Sequence, residues 1–111
     1  METKKDPEIF LKHILESIKE IEKYSKNIAL EKFLKTTEKQ DAIIRRLEVI
    51  GEAIKNVPPS YKDKYPSIAW KKVAGLRDVL IHEYFGVDLD MTWEIIKKDI
   101  PILKKQIKEL L

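Results

Sequence analysis

The sequence predicts an all-α fold, an antiparallel bundle of four main helices plus one short helix. Three observations predict it. Apolar residues recur at steps of three and four along almost the whole chain. No stretch shows the strict apolar–polar alternation of a half-buried strand. Helix start and stop residues fall where one periodic segment gives way to the next.

Each element has its own signal. Asp6-Pro7 opens the first helix, an N-cap followed by proline at the first helical position. Its stripe is Phe10, Ile14, Ser17, Ile18, Ile21 and Tyr24. A short amphipathic piece spans Leu30 to Leu34. Thr37 to Gln40 has the form of a capping box and starts a second long helix, with Ile43, Ile44, Leu47, Ile50, Gly51 and Ile54 facing inward. Pro58-Pro59 ends it, and Tyr61 to Pro66 reads as a loop. Ser67 can cap a third helix that carries Ile68, Val73, Leu76, Val79 and Leu80 and stops at Gly86. Asp88 or Asp90 restarts the chain into a last helix, with Met91, Ile95, Leu103, Ile107 and Leu110 inward. Pro101 lies inside that helix and predicts a kink, because it removes one backbone donor and crowds the preceding turn.

The 111 residues are expected to form a single domain, 1–111, with one modest core. Charged residues make up 37% of the chain, as expected for a small helical bundle with a solvated surface. No apolar run approaches the ~20 residues of a membrane span, and no secretory leader is evident. With no cysteine, disulfides and thiolate metal sites are excluded. A cytoplasmic location is the expectation. The net charge of +3 tolerates an anionic partner but falls short of a DNA-binding tail. Lysine pairs (Lys71-Lys72, Lys97-Lys98, Lys104-Lys105) interleave with glutamates and read as a solvated face. Richness in lysine, glutamate and isoleucine leans towards a thermophilic source.

Chemistry concentrates in R-D-V-L-I-H-E-Y, Arg77 to Tyr84. Arg77 offers a phosphate a planar fork of donors that never loses its charge. His82, one of two histidines, moves protons near neutral pH. Together they point to chemistry on a phosphodiester. Spacing alone also allows a surface ion pair for Arg77, a backbone-bonded, half-buried His82, and a core Tyr84 with its hydroxyl at the rim.

Two strings go further. Gln40 to Ala53 (Q-D-A-I-I-R-R-L-E-V-I-G-E-A) and Trp70 to Asp88 (W-K-K-V-A-G-L-R-D-V-L-I-H-E-Y-F-G-V-D) resemble the HepT-like members of the HEPN superfamily. The similarity runs from about Asp6 to Leu103, and the family's R-x-x-x-x-H-x-Y motif is met by Arg77, His82 and Tyr84. Asp78 stands where the family often has asparagine. The resemblance implies the HEPN fold, a homodimer, and a metal-independent endoribonuclease that needs no cofactor. It also implies a toxin neutralised by a nucleotidyltransferase antitoxin that adds AMP to Tyr84. An alternative is a non-catalytic helical subunit that docks the nucleotidyltransferase and holds nucleotide or its substrate. A third is a purely structural adaptor.

Metal-free RNA cleavage needs a base, an acid and a cation near phosphorus. His82 suits either proton-transfer role and Arg77 the cationic one. One histidine does not conveniently fill both proton roles, so a symmetric dimer, which brings a second copy, is expected. On an ideal helix Arg77 and His82 lie about 140° apart, while Tyr84 returns to within roughly 20° of Arg77. Asp78, four residues before His82, can orient the imidazole and raise its pKa. An AMP on Tyr84 would set negative charge beside Arg77 and repel an RNA phosphate.

Other residues carry milder expectations. His13 falls on the first stripe and reads as a core or interface histidine. Arg45-Arg46 reads as a solvated face that can also line an RNA groove. Asp88-Leu89-Asp90 reads as helix capping before a magnesium pair. Trp70 and Trp93 read as core or dimer interface, with base stacking a lesser role. Gly51 is expected to let two helices approach closely.

Overall fold

A computed structural model describes residues 6–76 and 88–111. The positions expected at Val79, Leu80 and Gly86 lie outside the described residues. Every regular element among the described residues is helical.

Helix α1 spans Pro7–Ser25. It begins as its sequence dictates: the Asp6 carboxylate accepts from the Glu8 N–H at 3.0 Å. This satisfies one of the free donors at a helix start. Its buried face is Leu11, Ile14, Ser17, Ile18, Ile21 and Ser25; Phe10 and Tyr24 are only half-buried. Asn27, at φ 61°, turns the chain out of α1, a conformation that asparagine tolerates better than most side chains.

Helix α2, Leu30–Lys35, buries Phe33. Helix α3, Thr37–Asn56, follows after a single residue, Thr36. The expected capping box is not formed. Thr36, not Thr37, is the N-cap and makes no side-chain cap bond. Its hydroxyl instead donates to Lys32 O at 2.7 Å, and the Gln40 amide donates back to Phe33 O and Leu34 O. With α2 so close, its orphan carbonyls claim these side chains. Lys39, at the start of α3, donates to Tyr24 O near the end of α1, so the two helices run antiparallel. Ile43, Leu47, Ile50 and Ile54 seal the seam with no exposure, and Ile44 is half-buried.

The stretch expected as a loop after Pro58 contains a one-turn helix, α4, Pro59–Asp63, with proline in its first turn. Tyr61 packs against Tyr65 with ring planes tilted 51° and centroids 5.1 Å apart. Helix α5, Trp70–Ala74, starts later than expected: Ala69 is its N-cap and Ser67 caps nothing. It also stops early, at Gly75, before helical geometry resumes at Leu76.

Helix α6, Leu89–Glu94, is capped by Asp88. It continues through a π-helical turn, Ile95–Asp99, into α7, Ile100–Leu110, with proline in its first turn. A π turn stands just before Pro101, which fits a residue that has no N–H to give the helical ladder. Ile95, Ile96, Ile100, Leu103 and Ile107 face the core. Met91, expected inward, is 40% exposed, and Leu110 is half-buried.

Candidate functional site

Arg77, Asp78, His82 and Tyr84 all lie outside the described residues. What the structure defines is the frame at both ends of that segment. On the upstream side, Gly51 of α3 faces the end of α5. A Cβ built there would stand 3.2 Å from Ala74 O and 3.6 Å from Val73 O. The missing side chain is therefore what lets the α5 backbone rest on α3, as the sequence led us to expect. The Gly75 N–H donates to Lys71 O at 3.1 Å, and Leu76, only 3% exposed, is driven into the core. Arg77 is the next residue in the chain.

Downstream, Asp88 Oδ1 accepts from the Met91 N–H at 2.9 Å. Its carbonyl accepts from the Thr92 N–H at 2.9 Å and from the Thr92 hydroxyl at 2.8 Å. Thr92 is fully buried. Capping thus accounts for Asp88, as expected. The segment that carries the motif follows a core leucine and precedes the Asp88 helix cap.

Beside Leu76 opens a cleft of about 180 Å³ between α5 and α7. Its walls are apolar: Val73, Leu76, Ile100, Ile102 and Leu103. Its rim is polar. Lys72 Nζ lies 3.5 Å from Asp99 Oδ1, and the Gln106 amide donates to Ser67 O at 3.2 Å across the mouth. The Lys72–Asp99 pair is well exposed, so it is worth no more than about 1 kcal/mol and can be exchanged for another anion.

A second, shallower groove runs along the other side of α5, lined by Lys62, Pro66, Ile68, Trp70, Lys71 and Lys72 among others. Lys72 and Ala69 belong to both hollows. Trp70 forms the groove's floor, 8% exposed, and its indole N–H donates to Tyr65 O at 3.0 Å. That matches the core expectation for this residue. Trp93 packs on Phe33 with centroids 5.1 Å apart, and Lys97 sits 4.6 Å from its ring centroid.

Partial burial, with Tyr65 as neighbour, pushes the Tyr61 phenol up from its ordinary value. The hydrogen bond from Lys98 to Glu94 raises the Lys98 ammonium.

His13 corrects an expectation. It is exposed, on the same side of α1 as Ile9, which is 51% exposed. The buried stripe runs through Leu11 and Ile14 instead. A core role for His13 is ruled out: at about 100° per residue it stands roughly 100° around the helix from Ile14 and roughly 160° from Leu11, off the buried face. Arg45 is solvated, with only a 3.9 Å contact to Glu48.

The cleft itself was missed from sequence. Its signal was Ile100-Pro101-Ile102-Leu103, a run too apolar for one helix face to hide. Ile100 and Leu103 are buried, while Ile102 is 59% exposed and left as a wall.

A helical frame delivering an Arg–x4–His–x–Tyr segment is the class of object defined so far, and similarity to known proteins fits it. The chain matches the family described as "Ribonuclease HepT-like" over residues 14–110, a span that includes Arg77, His82 and Tyr84. It belongs to the HepT-like ribonuclease family. It is 46% identical to a protein of Caldanaerobacter subterraneus named "Putative RNase" over 107 residues, 96% of each chain. It is 46% identical over 101 residues to one of Thermococcus cleftensis named "Probable ribonuclease HepT", covering 91% of this chain and 92% of that one. A Methanocaldococcus jannaschii protein named "Gamma-glutamylcyclotransferase and putative RNase" is 53% identical over 108 residues. There the chain covers 97% of itself but only 49% of its relative. No solved structure matches. Among the described residues, no helix is long and apolar enough to cross a membrane.

Proposed function

We propose that this chain is a metal-independent endoribonuclease that works as a homodimer, the toxin of a toxin–antitoxin pair. The observation that carries this reading is the family match across residues 14–110 together with Arg77, His82 and Tyr84 in the family's motif. In the reaction, the RNA 2′-hydroxyl loses its proton to one His82 and attacks the adjacent phosphorus. A 2′,3′-cyclic phosphate forms as the P–O5′ bond breaks. The departing 5′-oxygen takes a proton from the second protomer's His82. Arg77 holds the non-bridging oxygens as charge builds on them, and Asp78 orients the imidazole. The dimer supplies two imidazoles, which is why one histidine per chain suffices.

Control falls to Tyr84. A nucleotidyltransferase antitoxin directs the tyrosine oxygen onto the α-phosphorus of ATP, pyrophosphate leaves, and the phenol proton is released. The attached AMP brings a negative charge near Arg77 and repels substrate.

Cleavage of RNA by the purified protein in EDTA tests the enzyme. His82→Ala is expected to lower the rate by about 10²–10⁴, the span typical of general acid–base catalysis. Undiminished cutting by that variant would remove His82 from the mechanism. Arg77→Ala is expected to be similarly impaired. Incubation with the antitoxin and ATP is expected to add about 329 Da per AMP to the Tyr84 peptide; an unchanged mass would end that part of the reading.

A further inference from the structure

The geometry points to a single-stranded RNA path across α5: backbone phosphates on Lys62, Lys71 and Lys72, and one splayed base in the cleft walled by Val73, Leu76, Ile100, Ile102 and Leu103. This rests on the ribonuclease reading above and names where its substrate lies outside the motif.

Three observations carry it. The groove and the cleft are neighbouring hollows that share Lys72 and Ala69, one on each side of α5. The groove's lining carries Lys62, Lys71 and Lys72 against one carboxylate, Asp63, and with Asp99 paired to Lys72 on the cleft side one positive charge remains in excess, enough to favour an anionic strand. The cleft's polar rim frames apolar walls, and its last wall residue, Leu76, is followed in the chain by Arg77.

Size selects the form of RNA. A volume of about 180 Å³ is below the ~300 Å³ at which pockets begin to take whole drug-sized ligands. It suits one base ring. Only an unpaired strand can turn a base out of its stack into such a cleft, and sequence-discriminating RNA recognition relies on such bases. The Gln106 amide at the rim carries both donor and acceptor groups for a base edge. Lys72 needs only to exchange the exposed Asp99 carboxylate for a phosphate.

The test is binding of a fluorescein-labelled single-stranded RNA of mixed sequence, in EDTA, followed by anisotropy across a salt series. The full chain carries His82→Ala so that the probe stays whole. Adding Lys62→Ala, Lys71→Ala and Lys72→Ala together is expected to weaken binding at least tenfold at low salt. The log–log salt slope should become shallower by about 2, at roughly 0.7 per single-strand phosphate contact. A control triple, Lys19→Ala, Lys32→Ala and Lys35→Ala, removes equal charge from exposed sites on α1 and α2 and should leave both readings in place. Ile102→Glu, at an exposed cleft wall, should weaken the single strand about fivefold or more and leave an RNA duplex unaffected. Equal losses in the two triples, no loss in the first, or no binding by the His82→Ala parent would overturn the path. So would equal weakening of single strand and duplex by Ile102→Glu. Failure of the His82 protein to cut RNA while the lysine effect persists would instead strike the ribonuclease reading and leave the path standing.

Discussion

Along α1 and α3 the apolar stripe closes completely, with Ile14, Ile18, Ile43, Leu47 and Ile50 at zero exposure. Across α5 and α7, residues just as apolar leave a cleft open between them. The difference comes from regularity. Helices α1 and α3 are unbroken over 19 and 20 residues, so their faces mesh turn after turn. Helix α5 lasts five residues before its Gly75 cap, and α7 follows a π turn with proline as its second residue. Interrupted helices bring their faces together at a few points only, and the space between those points is available for binding. One half of the molecule is built to stay closed; the other is shaped to receive something.

That contrast can be broken by mutation. Leu47→Ala, in the sealed seam, should cost about 2–5 kcal/mol, the range for leucine truncation in a core, measured by urea unfolding. The folded fraction should still bind RNA normally, since no wall of the cleft has moved. Gly51→Leu should cost about 1–3 kcal/mol through overpacking, because its side chain meets the Ala74 carbonyl. It should also weaken RNA binding, as α5 carries Lys71 and Lys72. Unaltered binding by a folded Gly51→Leu would show that the seating of α5 does not set the groove. Asp88→Ala removes the cap at α6 and should cost about 1 kcal/mol, read as a lower melting temperature. Lys98→Ala breaks an exposed pair with Glu94 and should leave the melting temperature almost unchanged, because solvent screens so exposed a pair. A larger loss would mean that surface pairs on this side hold more than their exposure suggests.

Legibility followed the same division. Asp6, Asp88, Gly51 and the α3 stripe were read correctly because each acts through its own backbone or through its immediate helical face. Errors gathered where a neighbour intervened. The capping box failed because α2 ends one residue before α3 and draws Thr36 and Gln40 to its carbonyls. The loop expected at Tyr61 to Pro66 gives up its first three residues to α4, because Pro59, in that helix's first turn, already holds a helical φ. The core half of the core-or-interface reading for His13 failed because Ile9 and Ile18 bracket it, yet Ile9 itself is exposed. The catalytic candidates Arg77, Asp78, His82 and Tyr84 were legible as a motif with a family behind it, and their geometry belongs to the proposal.

By itself the sequence determined that the described residues form helices and where the long apolar stripes of α1 and α3 lie, and it offered one short string as the candidate for proton-transfer and phosphate-binding chemistry. Those are properties of spacing, and spacing is local. Only the tertiary structure decided that Ile102 would be left as a wall while Leu103 is buried, that α5 would rest on Gly51, and that Lys72 would stand between a charged groove and an apolar cleft. Burial has no direction of its own: a stripe records that a face must be covered, and the packing of whole helices chooses what covers it and where the cover stops.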